Sequence, residues 1–124
     1  MPEPTILYIE DEQENLTLIR LFLRKEPFQL LTAETPEKAL QILESHKVDL
    51  VLVDLNLQGE GDGAILVKAI RDNPKYKTTP VFVFSGFDEY QLQKHGIDGM
   101  VQKFFRKPTS KQVLVQALNE QFQT

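Results

Sequence analysis

Two textures of apolar residues alternate along the chain. Short, nearly continuous apolar runs predict buried strands, and stretches with apolar residues three and four apart predict amphipathic helices. Thr5–Ile9 (TILYI) is the first run, cut off by Glu10-Asp11-Glu12. Leu16, Ile19 and Leu23 then recur at helical spacing, with Leu18, Leu21 and Phe22 widening the stripe, until Pro27 ends the helix. Phe28–Ala33 (FQLLTA) predicts a second, weaker strand. Thr35-Pro36-Glu37 supplies an N-cap, a proline at the first helical position and an early acid. The helix they open has Ala39, Leu40, Ile42 and Leu43 as its apolar side. Val48–Val53 (VDLVLV) is a strongly apolar third strand, interrupted only by Asp49 and followed by Asp54.

The second half repeats the pattern. Gln58–Gly63 (QGEGDG) is a glycine-rich loop, read as a turn rather than a phosphate cradle because its spacing is Gly-x-Gly-x-Gly. Ile65, Leu66, Ala69 and Ile70 mark a third helix that stops near Asp72-Asn73-Pro74. Pro80–Phe84 (PVFVF) predicts a fourth strand, followed by Ser85-Gly86. Asp88 is placed to cap a short fourth helix ending at Gly96, and Met100–Phe105 predicts a fifth strand. Thr109 with Gln112 makes a capping box for a last helix whose buried side is Val113, Leu114, Ala117, Leu118 and Phe122. His46 and His95 fall near helix ends without metal-type spacing and read as surface residues.

Strict strand–helix alternation predicts an α/β fold, a parallel sheet with helices on both faces, as one domain over 1–124. In such sheets a ligand site lies beyond the carboxyl ends of the strands. The residues that should meet there are Glu10, Asp11, Glu12, Asp54, Asn56, Ser85, Gly86, Lys107 and Pro108.

Charge and composition narrow the chemistry. The net charge is −4, which argues against a nucleic-acid surface. With no cysteine, thiol catalysis and thiolate metal sites are excluded. No apolar run approaches the roughly 20 residues of a membrane helix, and the N-terminus lacks the basic start of a secretory signal, so a cytoplasmic protein is expected. Clustered carboxylates are costly unless a cation joins them or one takes a proton. A hard divalent ion such as Mg²⁺, taking one or two carboxylates together with waters and a phosphate oxygen, is the natural partner. A carboxylate nucleophile, such an ion, a lysine and a hydroxyl make a phosphoryl-transfer site.

The segments ILYIEDE, LVLVDLNLQGEGDG, PVFVFSG and FFRKP, in this order and at these strand ends, resemble the receiver domains of two-component response regulators. The resemblance covers the whole chain. It implies a flavodoxin-like (βα)5 fold with strand order 2-1-3-4-5. It further implies that Asp54 is the phosphoacceptor and that Glu10, Asp11, Asp54 and the backbone carbonyl of Asn56 hold Mg²⁺. Ser85 would be the switch hydroxyl, Lys107 the phosphate-pairing lysine and Phe104 the switch aromatic, with a cis bond at Lys107-Pro108.

The implied phosphoryl donor is a histidine kinase or a histidine phosphotransfer protein. The implied output is contact with a downstream protein target through the face of the fourth helix, fifth strand and fifth helix, with Tyr90, Leu92, Lys103, Phe105 and the last helix as reporters. The domain would catalyse only its own phosphorylation and dephosphorylation. Since the sequence stops after the last helix, a receiver without an output domain is expected, either stand-alone or excised from a longer protein. The loop after Asp54 departs from the family pattern. Gln58 stands where a proline is usual, and Gly63 lies one residue later than the usual glycine. Two rivals stay open: a haloacid-dehalogenase-like phosphatase, whose second aspartate would be Asn56 here, and a phosphorylation-independent interaction module on the same fold.

Overall fold

The computed structural model describes residues 3–55, 57 and 62–123. Five strands, β1 (Thr5–Ile9), β2 (Gln29–Ala33), β3 (Leu50–Asp54), β4 (Val81–Ser85) and β5 (Lys103–Arg106), alternate with α1 (Gln13–Leu23), α2 (Pro36–Ser45), α3 (Asp62–Asp72), α4 (Tyr90–Lys94) and α5 (Lys111–Phe122). All strand pairs are parallel, in the order β2-β1-β3-β4-β5. The expected (βα)5 topology is therefore the observed one.

The sheet is covered on both faces, which is why its strands read as apolar runs rather than alternating ones. Side chains alternate between two cores. Leu7, Ile9, Val51, Val53, Val81 and Val83 face one core with Ala39 and Leu43 of α2, Leu66, Val67 and Ile70 of α3 and Leu92 of α4. Ile6, Tyr8, Leu50, Leu52, Phe82, Phe84 and Phe105 face the other with Leu16, Ile19 and Leu23 of α1 and Leu114, Ala117 and Leu118 of α5. Tyr8, Phe28, Phe82, Phe84 and Phe105 pack into the second core, where Phe84 stacks on Phe105 with centroids 5.2 Å apart, while Tyr76 lies in the first.

Several boundaries differ from the sequence expectation. β3 starts at Leu50 because Asp49 is occupied at the strand entry, its carboxylate accepting the Thr5 amide at 2.7 Å. β5 starts at Lys103 because the chain is still turning at Met100, whose amide donates to the Ile97 carbonyl. Capping of α2 is as expected, Thr35 Oγ1 accepting from the Lys38 amide. Capping of α5 is not: Ser110, one residue after Thr109, accepts from the Val113 amide at 3.2 Å, and Thr109 donates instead to the Arg106 carbonyl. The helical stripes are narrower than the sequence suggests. Leu18, Leu21, Leu40, Ile65 and Val113 lie exposed, because each helix packs on the sheet along only one side. His95 is half-buried rather than at the surface, and its Nε2 is sealed without a hydrogen-bond partner among the described residues.

One side chain missed by periodicity ties the far end of the fold together. Arg71, at the end of α3, donates to the carbonyls of Met100, Tyr76, Lys77 and Thr79 and to Gln102 Oε1. It thus holds the turn of 3-10 helix at Pro74–Tyr76, the entry to β4 and the approach to β5 in one place. The same amide oxygen of Gln102 accepts the Val81 amide at the start of β4.

Candidate functional site at the carboxyl edge of the sheet

β1 and β3 are hydrogen-bonded neighbours, so their carboxyl ends deliver acids side by side. Glu10 and Asp11 follow the last residue of β1, and Asp54 is the last residue of β3. Glu10, Asp11 and Asp54 each offer a carboxylate oxygen, and these lie within 4.8 Å of one another. Glu10 and Asp54 are buried, whereas Asp11 is exposed and leaves the cluster open to solvent. Three carboxylates at that separation are a hard-oxygen donor set of the kind that suits Mg²⁺. The donor set therefore fits the ion expected from the sequence. The expected fourth donor, the carbonyl of Asn56, lies outside the described residues.

The next strands supply the other groups. Lys107, just past β5, places Nζ 3.1 Å from Asp54 Oδ2 and 3.2 Å from Glu10 Oε1. The bond between Lys107 and Pro108 is cis, as expected. Ser85, the last residue of β4, is fully buried, and its Oγ accepts the Phe87 amide at 3.0 Å. Phe104 is half-buried on β5 and packs against the core shared with α2, α3 and α4. Of the residues expected to report from the surface, Tyr90 and Lys103 are exposed. Leu92 and Phe105 are core residues instead, Leu92 packed into the core shared with α2 and α3 and Phe105 into the core shared with α1 and α5.

Electrostatics follow from this crowding. Burial pushes the Glu10 carboxyl up, but hydrogen bonding with Asp54 and the charge and hydrogen bond of Lys107 outweigh it and hold it below the ordinary glutamate range. Burial likewise works against the Lys107 ammonium, yet the charges of Asp54 and Glu10 raise it above the ordinary lysine range. Desolvation, and then the charge of Glu10 beside it, hold Asp11 above the usual aspartate range.

Two features of the site have no motif behind them. Tyr8 and Asn15 both donate to Glu10 Oε1, at 3.1 and 2.8 Å. The only trace of this in the sequence is a phenol in an otherwise apolar strand, two residues before an acid and hence on the same face. Gly63 opens α3 directly over the end of β3, its amide donating to the Leu55 carbonyl at 3.1 Å. A Cβ there would collide with the Asp54 carbonyl oxygen and stand 2.7 Å from Leu55 Cα. The glycine one residue later than usual is thus a close-approach glycine, not merely a turn residue.

Residues 6–119 match the family model described as "Response regulator receiver domain". The chain belongs to that family. Among curated relatives, this receiver domain is 31% identical over 104 residues to the response regulator GtcR of Aneurinibacillus migulanus, covering 84% of this chain and 41% of that protein. It is 30% identical over 103 residues to the KDP operon transcriptional regulatory protein KdpE of Escherichia coli, covering 83% of this chain and 44% of that protein. The chain thus spans less than half the length of both. A solved signal receiver domain of an HD domain-containing protein from Pseudomonas fluorescens Pf-5 superposes with a TM-score of 0.85 at 28% identity, covering 97% of this chain and 87% of that one. Receiver domains are signalling domains, and the receiver fold and its acid cluster are both present here. No helix among the described residues is long and apolar enough to cross a membrane.

Proposed function

We infer that this receiver domain is a phosphorylation-dependent switch with Asp54 as the phosphoacceptor. One observation carries the reading: Asp54 sits at the end of β3 with Lys107 Nζ 3.1 Å from its carboxylate and Glu10 and Asp11 beside it. A carboxylate oxygen of Asp54 attacks the phosphorus of a phosphohistidine on a histidine kinase or a histidine phosphotransfer protein. The P–O bond to Asp54 forms as the P–N bond breaks, and the electron pair stays on the departing imidazole. Lys107, already paired with Asp54, follows the new phosphoryl oxygens as a point charge. Asp11 and Asp54, with Glu10 behind them, would hold Mg²⁺, which when bound supplies positive charge against the phosphoryl oxygens.

The acyl phosphate brings about −1.5 to −2 of charge to a site that already holds three acids. Ser85 would donate its hydroxyl hydrogen to a phosphoryl oxygen, and Phe104, on the strand next to β4, would adjust to its displacement. The proposed output surface is the face of α4, β5 and α5, where Tyr90 and Val113 stand exposed for a downstream protein. A cytoplasmic setting suits such an exchange between soluble partners.

The test is incubation with phosphoramidate and Mg²⁺, followed by intact-mass measurement. One phosphoryl group per chain is expected, lost on Asp54→Asn. Labelling that persists in Asp54→Asn rejects the acceptor. Sustained release of phosphate over many turnovers from an aryl phosphate would instead favour a phosphatase. No uptake by the unaltered protein would favour an interaction module.

A further inference from the structure

Among the described residues, Glu10 accepts from donors on β1, on α1, in the turn between them and just past β5. A carboxylate has about four acceptor directions. Among the described residues, Oε1 accepts from the Tyr8 hydroxyl at 3.1 Å, Asn15 Nδ2 at 2.8 Å and Lys107 Nζ at 3.2 Å. Oε2 faces the amides of Asp11 and Glu12 at 3.2 and 3.5 Å. These donors differ in stiffness. Lys107 ends a flexible chain, and the two amides belong to a turn at the surface. The Tyr8 ring is locked: it is 2% exposed and meets the Phe84 ring edge-on, with centroids 5.9 Å apart. It lines, with Phe84, Ile19 and Phe22, a largely apolar cleft of about 310 Å³ whose wall also includes Asn15 and Lys107. Its hydroxyl is therefore a fixed point inside the core.

The reach of the two side chains is matched. Residues 8 and 10 project from the same face of the chain, roughly 7 Å apart along a strand. The phenol extends toward the carboxyl edge, and the extra methylene of glutamate, relative to aspartate, lets the carboxylate meet it. We propose that Tyr8 is a positioning residue whose hydroxyl sets the orientation of Glu10 beside Asp54 and Lys107, and thereby the affinity of the cluster for a divalent cation. The proposal rests on the reading of the cluster as a cation site given above. Outer partners that orient the carboxylates of a metal site are worth about 10–100-fold in affinity. Four donors to Glu10 remain without Tyr8, so the effect belongs at the lower end of that range.

The experiment is a double-mutant cycle read by calorimetric titration with MgCl₂. Tyr8→Phe keeps the ring in the core and removes only the hydroxyl, and Glu10→Asp withdraws the carboxylate from the hydroxyl's reach. Tyr8→Phe is expected to weaken Mg²⁺ binding about tenfold in the Glu10 protein and to have no further effect in Glu10→Asp. In the metal-free protein, Tyr8→Phe is expected to shift the ¹⁵N–¹H resonances of Asp11 and Glu12, whose amides report the Glu10 carboxylate. Equal affinity of the unaltered protein and Tyr8→Phe, or an equal loss in both backgrounds, overturns the positioning role while leaving the cation site standing. No Mg²⁺ binding by the unaltered protein overturns the cation site and the proposal with it.

Discussion

Lys107 Nζ bridges Asp54 and Glu10, two buried acids from separate strands, at 3.1 and 3.2 Å. In the metal-free protein this ammonium is the described cation that compensates them. Removing one partner of a buried ion pair costs more than the pair itself contributes, because the remaining charge is stranded. The Lys107 side chain is 27% exposed, which tempers the cost through solvent screening.

Lys107→Met should therefore lower metal-free stability by about 1–3 kcal/mol near neutral pH, read by denaturant titration. The pH dependence has a definite sign. Glu10 is held below its ordinary range, so its contribution is present above the unfolded glutamate pKa and is lost as pH falls through the folded value. Lys107 is held above its ordinary range, so its contribution is present below the unfolded lysine pKa and is lost as pH rises through the folded value. The gap between unaltered protein and Lys107→Met should be widest between those limits and should close in acid. A gap independent of pH would contradict the pairing.

Asp11 has the opposite sense. Its carboxyl is held above the usual aspartate range, so ionising it costs the folded state some stability at neutral pH. Asp11→Asn should raise the metal-free melting temperature by a few degrees. The gain should vanish as pH falls below the unfolded aspartate pKa, where the unaltered side chain is also neutral. The same substitution should reduce the stabilisation that added Mg²⁺ gives, since that stabilisation scales with binding. An Asp11→Asn protein with a full response to Mg²⁺ would remove Asp11 from the ligand set.

Gly63 tests the seating of α3. A methyl group there meets backbone rather than a movable side chain, so Gly63→Ala must shift either α3 or the end of β3. The expected cost is about 1–3 kcal/mol of stability, the usual range for overpacking. Because the carbonyl in the way belongs to Asp54, labelling by phosphoramidate should slow as well. Unchanged stability and labelling would mean that the close approach is not maintained in solution.

If Asp54 is the phosphoacceptor, Phe87 is expected to bear on how long the acyl phosphate survives. Its amide is tied to Ser85 Oγ at the end of β4, and the residue is 58% exposed. A bulky apolar ring two residues past Ser85 would restrict the approach of water to a phosphoryl group on Asp54. Phe87→Ala should shorten the phosphorylated half-life severalfold without abolishing labelling, measured by decay of the labelled species after the donor is removed. An unchanged half-life removes the ring from that role.

Where the strands end was legible because an acid, a hydroxyl or a basic residue stops each apolar run. Glu10, Asp54, Ser85 and Lys107 are those stops, and parallel alternation alone brings them to one edge. Finer features were not legible, for physical reasons. Leu18 and Leu21 have the spacing of core residues, but which side of a helix meets the sheet is decided by packing. Ser110 rather than Thr109 caps α5, since the Thr109 hydroxyl is engaged with the Arg106 carbonyl while Ser110 Oγ accepts the Val113 amide. Arg71 looks like any charged residue at a helix end, and the carbonyls it gathers come from segments up to 29 positions away. Tyr8 shows only as a polar atom in an apolar run, without its partner.

Ser85 commits its oxygen and its hydrogen separately. The oxygen accepts the Phe87 amide, while among the described residues the hydrogen has no acceptor. On the proposed phosphorylation of Asp54, a phosphoryl oxygen within reach of Ser85 would be met without giving up the existing bond. A serine that moves while still holding that amide tows residues 86 and 87 with it. If Ser85 is the switch hydroxyl proposed above, it would then act as a tether as well as a sensor, converting a displacement inside the sheet into a displacement of the backbone that leads into α4.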